Sequence, residues 1–171
     1  MHRNLTAAIV LTAITTLTAC GGGAGSPGGI PCPGLAVRKG ISLDIDPMYA
    51  PQVGSATLMS CWGGVCTDSP MDLMPASKPS ALPCTGTGPD AACGAAAVPT
   101  GGKSGFADLP SLAATPGEIT LKLLDAGGAE LRTQSLMVTP EIKYPTGPEC
   151  GGGTPQAGLQ VAPDGTLSER R

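Results

Sequence analysis

Histidine and aromatic residues are nearly absent from this sequence. The one histidine is His2, and aromatic residues make up 2% of the 171 residues. Without a histidine in the body of the chain, neither a Ser-His-Asp triad nor a Cys-His pair can form, and the sequence has no C-x-x-C redox pair. No basic stripe accompanies the few aromatic rings, as a nucleic-acid-binding surface would require. We therefore expect a protein that is not an enzyme, needs no cofactor and binds no nucleic acid.

The N-terminal segment combines a positive charge, an apolar run and a cysteine. Arg3 precedes an uncharged run of fifteen residues from Leu5 to Ala19, which is typical of a signal peptide and shorter than the roughly twenty residues of a membrane-spanning helix. The run ends in L-T-A-C, residues Leu17 to Cys20, and this tetrapeptide resembles the bacterial lipobox. The resemblance implies cleavage before Cys20, a diacylglyceryl group on its sulfur, and an anchor in the cell membrane on its extracytoplasmic face.

A glycine- and proline-rich segment follows this cysteine. Residues 21–34 read GGGAGSPGGIPCPG, without apolar periodicity, so we expect a flexible tether. The predicted organisation is a signal peptide over 1–19, a tether over 20–34 and one domain over 35–171. Fully extended, the chain between Cys20 and Cys32 spans at most about 40 Å, so the domain is expected to work close to the membrane.

Large apolar residues are too few to form a generous hydrophobic core. From Cys20 onward, 26 of 152 residues are Leu, Ile, Val or Phe, a small share for a domain of this size. Six further cysteines follow, an even number that favours three disulfides in an oxidising compartment. No pair has the two-residue gap of a zinc knuckle and no histidine is nearby, so we expect no metal site.

Short alternating patterns predict strands and leave no room for a long helix. Apolar residues alternate in four places: Ile41 to Ile45, Val53 to Leu73 around Gly63-Gly64, Ile119 to Val138 around Asp125 to Gly128, and Leu159 to Val161. The second and third places predict hairpins. The stretch from Pro75 to Gly105 predicts one long Pro/Gly-rich loop. Together these features predict a mostly β protein, a small immunoglobulin-like sandwich of two sheets.

The predicted hairpins also suggest how the cysteines pair. If Gly63 and Gly64 form the turn, Cys61 and Cys66 face each other as a non-hydrogen-bonded pair about 4.5 Å apart at Cα, close enough for a disulfide. A Cys84–Cys93 bond would close the long loop. By elimination, Cys32 then pairs with Cys150, although six cysteines permit other pairings.

Three further features have competing interpretations. Trp62 beside the turn is either an exposed contact for a protein or carbohydrate partner or a half-buried ring that covers a disulfide. Asp44 and Asp46, two apart on a strand, are either a pair of calcium-binding or acid–base carboxylates or a solvated face. Residues Ala97 to Ser104, AVPTGGKS, fit a relaxed phosphate-binding loop, but the strand and helix that should flank such a loop are not predicted.

The segment from Tyr144 to Gly152, YPTGPECGG, together with the segment around Cys32, is similar to uncharacterised lipoproteins of high-GC actinobacteria. That resemblance implies no activity. We expect a lipid-anchored, non-catalytic interaction module that binds an envelope protein or a cell-wall partner near the membrane. The alternative is a small-ligand or sugar-binding accessory protein of an envelope system.

Overall fold

The computed structural model describes residues 31–35, 37–86, 88–89 and 91–170. The chain divides into a unit Met1–Cys32, of which only the last two residues are described, and a compact unit Pro33–Arg171. The signal peptide and nearly all of the tether therefore lie outside the described residues. In the second unit the described strands are β1 (Gly40–Ile45), β2 (Ser55–Trp62), β3 (Val65–Met71), β4 (Met74–Ala81), β5 (Ala95–Asp108), β6 (Gly117–Leu124), β7 (Glu130–Val138), β8 (Glu141–Lys143), β9 (Thr154–Val161) and β10 (Leu167–Arg170).

The strands form two sheets. One has the order β10-β9-β1-β5-β4, with β8 also paired to β9, and the other has the order β3-β2-β6-β7. Strands β1 to β7 occupy the places of strands B, C, C′, D, E, F and G of an immunoglobulin sandwich, so the predicted fold is confirmed. The place of strand A, beside B, is taken by β9, which pairs with β1 in parallel.

The core lies between the sheets because alternate residues of each strand face inward. On β1 the side chains of Ile41, Leu43 and Ile45 are at most 2% exposed, as their alternation predicts. The opposite sheet contributes apolar residues at the same spacing, and the completely buried large side chains are Ile41, Leu43, Val53, Leu58, Ile119, Leu121, Leu123, Val138, Leu159 and Val161. The few aliphatic residues of the sequence are therefore concentrated in one layer.

The Pro/Gly-rich loop is shorter than predicted. Strands β4 and β5 pair across the segment from Pro75 to Gly105, and the loop between them runs only over residues 82–94. Leu82 N donates to Gly94 O, and counting back along the register puts Pro79 and Pro99 at non-hydrogen-bonded positions. There the missing N–H would have pointed away from the partner strand, so these prolines do not interrupt the ladder.

The cysteines are in disulfide linkage. Cys61 and Cys66 are directly paired across the β2–β3 turn, bonded to each other with a Cα separation of 4.1 Å. Both glycines of this turn have positive φ, 59° and 82°, the conformation that a tight two-residue hairpin requires. Cys84 is bonded to Cys93, again with 4.1 Å between Cα atoms. Cys32 and Cys150 are each disulfide-bonded as well, and the fold has three disulfides in all.

Besides β4, two short strands near the end of the chain were not predicted. After the turn that follows Val161, the chain forms a further strand, β10, which pairs antiparallel with β9. Strand β8 pairs with the first residues of β9. Both escape detection because β8 has three residues and β10 four, with one apolar residue each, too few to establish a period.

Candidate functional site

The predicted site residues are widely separated. Cys20 lies outside the described residues, so the structure does not bear on its lipidation. Cys61 and Cys66 stand at the tip of one hairpin, and the Cys84–Cys93 bond closes the loop between β4 and β5. The structure does not bring these groups together in one site.

Trp62 closes one end of the sandwich. Its indole Nε1 donates to Thr115 O at 2.8 Å, and the ring lies against Gly117, where an added Cβ would come within 2.1 Å of it. Cys61, the preceding residue, points to the opposite face of the strand. The ring is half-buried, as the second interpretation expects, and its described contacts are with Gly117 and Thr115. Its use as a partner contact stays a prediction.

A small hollow lies beside this ring. Its volume is about 220 Å³, and its walls come from the β2–β3 hairpin and the segment after β5. The lining residues are Ser60, Trp62, Val65, Thr67, Leu109, Ser111 and Leu112. Val65 is 69% exposed at its rim, so the hollow is open to solvent.

The other two motifs form no shared site. Asp44 pairs with Arg170 at 2.8 Å, whereas Asp46 lies past the end of β1 and accepts a hydrogen bond from Met48 N at 2.8 Å. The segment from Ala97 to Ser104 lies within β5. Its lysine, Lys103, donates a hydrogen bond to the backbone oxygen of Val53, so its ammonium group already has a partner within the domain. The described residues after Ser104 include no α-helix that could complete a phosphate-binding loop.

A second concavity is a notch in the outer edge of β9. Strands β8 and β10 lie end to end along this edge: Glu141 pairs with Gln156, and Arg170 pairs with Gly158. Between these two pairs, Ala157 has no strand partner on that edge among the described residues. The opening has a volume of about 500 Å³, and we call it the edge cleft. Its lining residues are Ser42, Thr139, Glu141, Lys143, Gln156, Ala157, Gly158, Glu169 and Arg170.

One wall of the edge cleft is a fixed guanidinium. Arg170 pairs with Asp44 at 2.8 Å and donates to Ser42 Oγ at 3.0 Å. Its Nε lies over Gly158, 3.0 Å from where a Cβ would stand. A glycine inside a strand often marks a close approach of another group, and here it lets the guanidinium lie flat on the sheet.

The other wall carries a second ion pair and an amide. Lys143 Nζ and Glu141 Oε2 are 2.5 Å apart. Gln156 donates from Nε2 to Arg38 O at 2.6 Å, which fixes the orientation of its amide group. The side chain of Arg38 stacks on Phe106, 4.3 Å from the ring centroid, and its hydrogen bond to Asp108 lowers the pKa of that carboxyl group.

Sequence patterns gave no signal for the edge cleft. Its residues come from four separate segments, within β1, around β8, within β9 and at the end of β10. Only the pairing of β8 and β10 to one strand brings them together, and neither of those two strands was predicted from the sequence. Asp44, the ion-pair partner of Arg170, is predicted from the sequence only in a different role.

Comparison with known proteins provides no relative. No protein family, curated protein or solved structure matches the chain. Within the described residues, no helix is long and apolar enough to cross a membrane. The same part of the chain contains no group of three or more His, Cys, Asp or Glu residues that could hold a metal ion.

Proposed function

We propose that this protein is a lipid-anchored, non-catalytic binding module, held by Cys20 on the extracytoplasmic face of the cell membrane. The observation that carries the proposal is the tetrapeptide Leu17 to Cys20, which follows a charged start and a fifteen-residue apolar run and resembles the lipobox. Two acyl chains give stable anchoring where one gives only marginal binding. The immunoglobulin-like domain is then available to an envelope protein or a cell-wall partner.

The cysteine arrangement supports this proposal. The six cysteines from Cys32 onward are all disulfide-bonded, so the three disulfides of the fold need no thiol from Cys20. Persistent structural disulfides are typical of exported proteins and rare in the cytosol. The odd seventh cysteine stands at the position that the lipobox assigns to acylation.

Mass spectrometry of the processed N-terminus tests the anchor. We expect a mature chain that begins at Cys20 and carries a diacylglyceryl group, and we expect Cys20→Ala to prevent both lipidation and cleavage. Thr18→Ala is the matched control, because it keeps a small residue two positions before the cleavage site and should be processed normally. An unmodified mature terminus at any other residue would refute the proposal.

Interaction partners are to be captured by cross-linking the anchored protein in intact envelopes. A single protein recovered in a fixed ratio supports the interaction module.

A second candidate function, a small-ligand or sugar-binding accessory protein, is favoured by one specific observation, the 500 Å³ edge cleft. That volume lies within the range of about 300–1,000 Å³ usual for small-molecule sites.

A further inference from the structure

The edge cleft lies where this chain departs from the immunoglobulin arrangement. Strands β1 to β7 occupy the places of strands B to G, β9 takes the place of strand A, and most of the cleft lining comes from β8, β9 and β10. Among the described residues, β8 and β10 leave Ala157 without a partner on the outer edge of β9. The cleft therefore depends on β8 and β10, which lie outside the place of strand A.

We propose that the edge cleft binds a neutral, hydroxyl-rich ligand, a saccharide unit held by hydrogen bonds. The inference deepens the second candidate function and rests on it. It commits to the chemistry of the ligand and leaves its source, a free sugar or a cell-wall glycan, to be distinguished by experiment.

The charges of the cleft favour a neutral ligand. Arg170 is paired with Asp44, and Lys143 is paired with Glu141. Among the described residues, each cation of the cleft is therefore matched by a carboxylate. An anion would have to displace a carboxylate that already holds each cation, so a phosphate or a free carboxylate is disfavoured.

The hydrogen-bonding groups of the cleft match hydroxyls in particular. A hydroxyl donates one hydrogen bond and accepts up to two, so it is best satisfied where donors and acceptors stand side by side. Arg170 and Lys143 are donors, Glu141 is an acceptor, and Gln156 directs its amide oxygen away from the nitrogen bound to Arg38 O. The lining therefore offers donors and acceptors together.

The floor of the cleft permits a flat ligand to approach the sheet. Ala157 and Gly158 present almost no side chain, and Ser42 beside them is small. Among the described residues, no aromatic or large aliphatic side chain lines the cleft, so an apolar ligand would gain little from burial. Because the hydrogen bonds replace bonds to water, we expect dissociation constants in the millimolar range.

Amide chemical shifts of the complete, oxidised chain test the inference. The probes are maltose and diacetylchitobiose as neutral sugars, with inorganic phosphate and glycylglycine as charged alternatives. We expect at least one sugar to shift the amides of Gln156, Gly158 and Glu169, and the charged probes to leave them unchanged. Co-sedimentation with chitin or insoluble amylose distinguishes a polymeric glycan from a free sugar.

The chain provides a matched pair of variants. The double variant Glu141→Gln, Lys143→Met removes the ion pair of the cleft and should weaken sugar binding by about tenfold, the loss expected for one hydrogen bond to a charged group. The control is Glu130→Gln, Lys122→Met, which removes a similarly exposed Lys–Glu pair on the other sheet and should leave binding unchanged.

Three outcomes would overturn the inference: no response to either sugar, sugar-induced shifts elsewhere on the domain, or equal loss of binding in both double variants. A response to phosphate or glycylglycine alone would reject the ligand class. These results are independent of the anchor. If Cys20 carries a diacylglyceryl group but the cleft binds no sugar, the binding-module proposal stands and the saccharide proposal is rejected.

Discussion

The contact between Trp62 and Gly117 gives a sharp test of the packing at one end of the sandwich. An added Cβ at residue 117 would stand 2.1 Å from one ring carbon of Trp62 and 2.5 Å from another, far inside van der Waals contact. Gly117→Ala therefore forces the indole ring to move. When the ring moves, its Nε1 loses the hydrogen bond to Thr115 O.

The expected cost combines two effects. Overpacking a well-packed site typically costs about 1–3 kcal/mol, and the lost hydrogen bond contributes about 0.5–1.5 kcal/mol. Gly117→Ala should therefore lower the free energy of unfolding by roughly 2–4 kcal/mol. In a domain of this size, each kcal/mol lowers the melting temperature by about 2–4 °C.

Urea denaturation followed by far-ultraviolet circular dichroism measures this cost. Trp62 is the single tryptophan of the chain, so its fluorescence spectrum reports the displacement of the ring directly. Gly94→Ala is the control, because a Cβ there meets only Leu82 at 3.6 Å, an ordinary contact. It should change stability by no more than about 0.5 kcal/mol.

A double-mutant cycle decides whether the ring causes the effect. In a Trp62→Ala background the space beside residue 117 is empty, so adding Gly117→Ala should cost less than about 0.5 kcal/mol. If Gly117→Ala is no more destabilising than Gly94→Ala, or costs the same with and without the indole ring, the described contact does not limit the packing.

Two further predictions concern stability and titration. Replacing Cys61 and Cys66 by serine removes a short ring and should lower the free energy of unfolding by about 2 kcal/mol, the loop-entropy value for such a ring; no loss in urea denaturation would contradict it. Hydrogen bonds from the backbone N–H and side chain of Thr166 lower the pKa of Asp164, so its carboxyl should titrate in NMR below the ordinary value of about 3.9. Because the pKa of Asp164 is lower in the folded state, its hydrogen bonds stabilise the protein fully above the pKa of the unfolded state. This stabilisation is lost as the pH falls through the pKa of the folded state. A normal or raised pKa of Asp164 would contradict the prediction.

Strong local patterns were enough to predict the central part of the fold. On β1, the alternation from Ile41 to Ile45 places three aliphatic side chains in the core because successive strand residues face opposite sides. In the β2–β3 hairpin, the paired glycines fix the turn, and the turn fixes the register that joins Cys61 to Cys66. These features depend on neighbours in the sequence, so they can be predicted from it.

The remaining features depend on residues that are distant in the sequence. Prolines conceal β4 and the first half of β5, because a missing N–H is harmful only on the side of the strand that faces a partner. Whether Pro79 faces a partner depends on its register with Ala97, which no local pattern shows. The edge cleft is hidden for the same reason, since Ser42 and Gly158 become neighbours only through the parallel β1–β9 pairing.

The parallel pairing of β1 with β9 also constrains the order in which the strands can fold. Strand β1 is central, with β5 on one side and β9 on the other, and Ile45 meets Val161 across the second of these ladders. A chain that emerges from its N-terminus must keep one edge of β1, including Leu43, unpaired until residues 154–161 have followed. Closing such a long loop is slow, so we expect the last step of folding to be the docking of β9 onto a nearly complete sandwich.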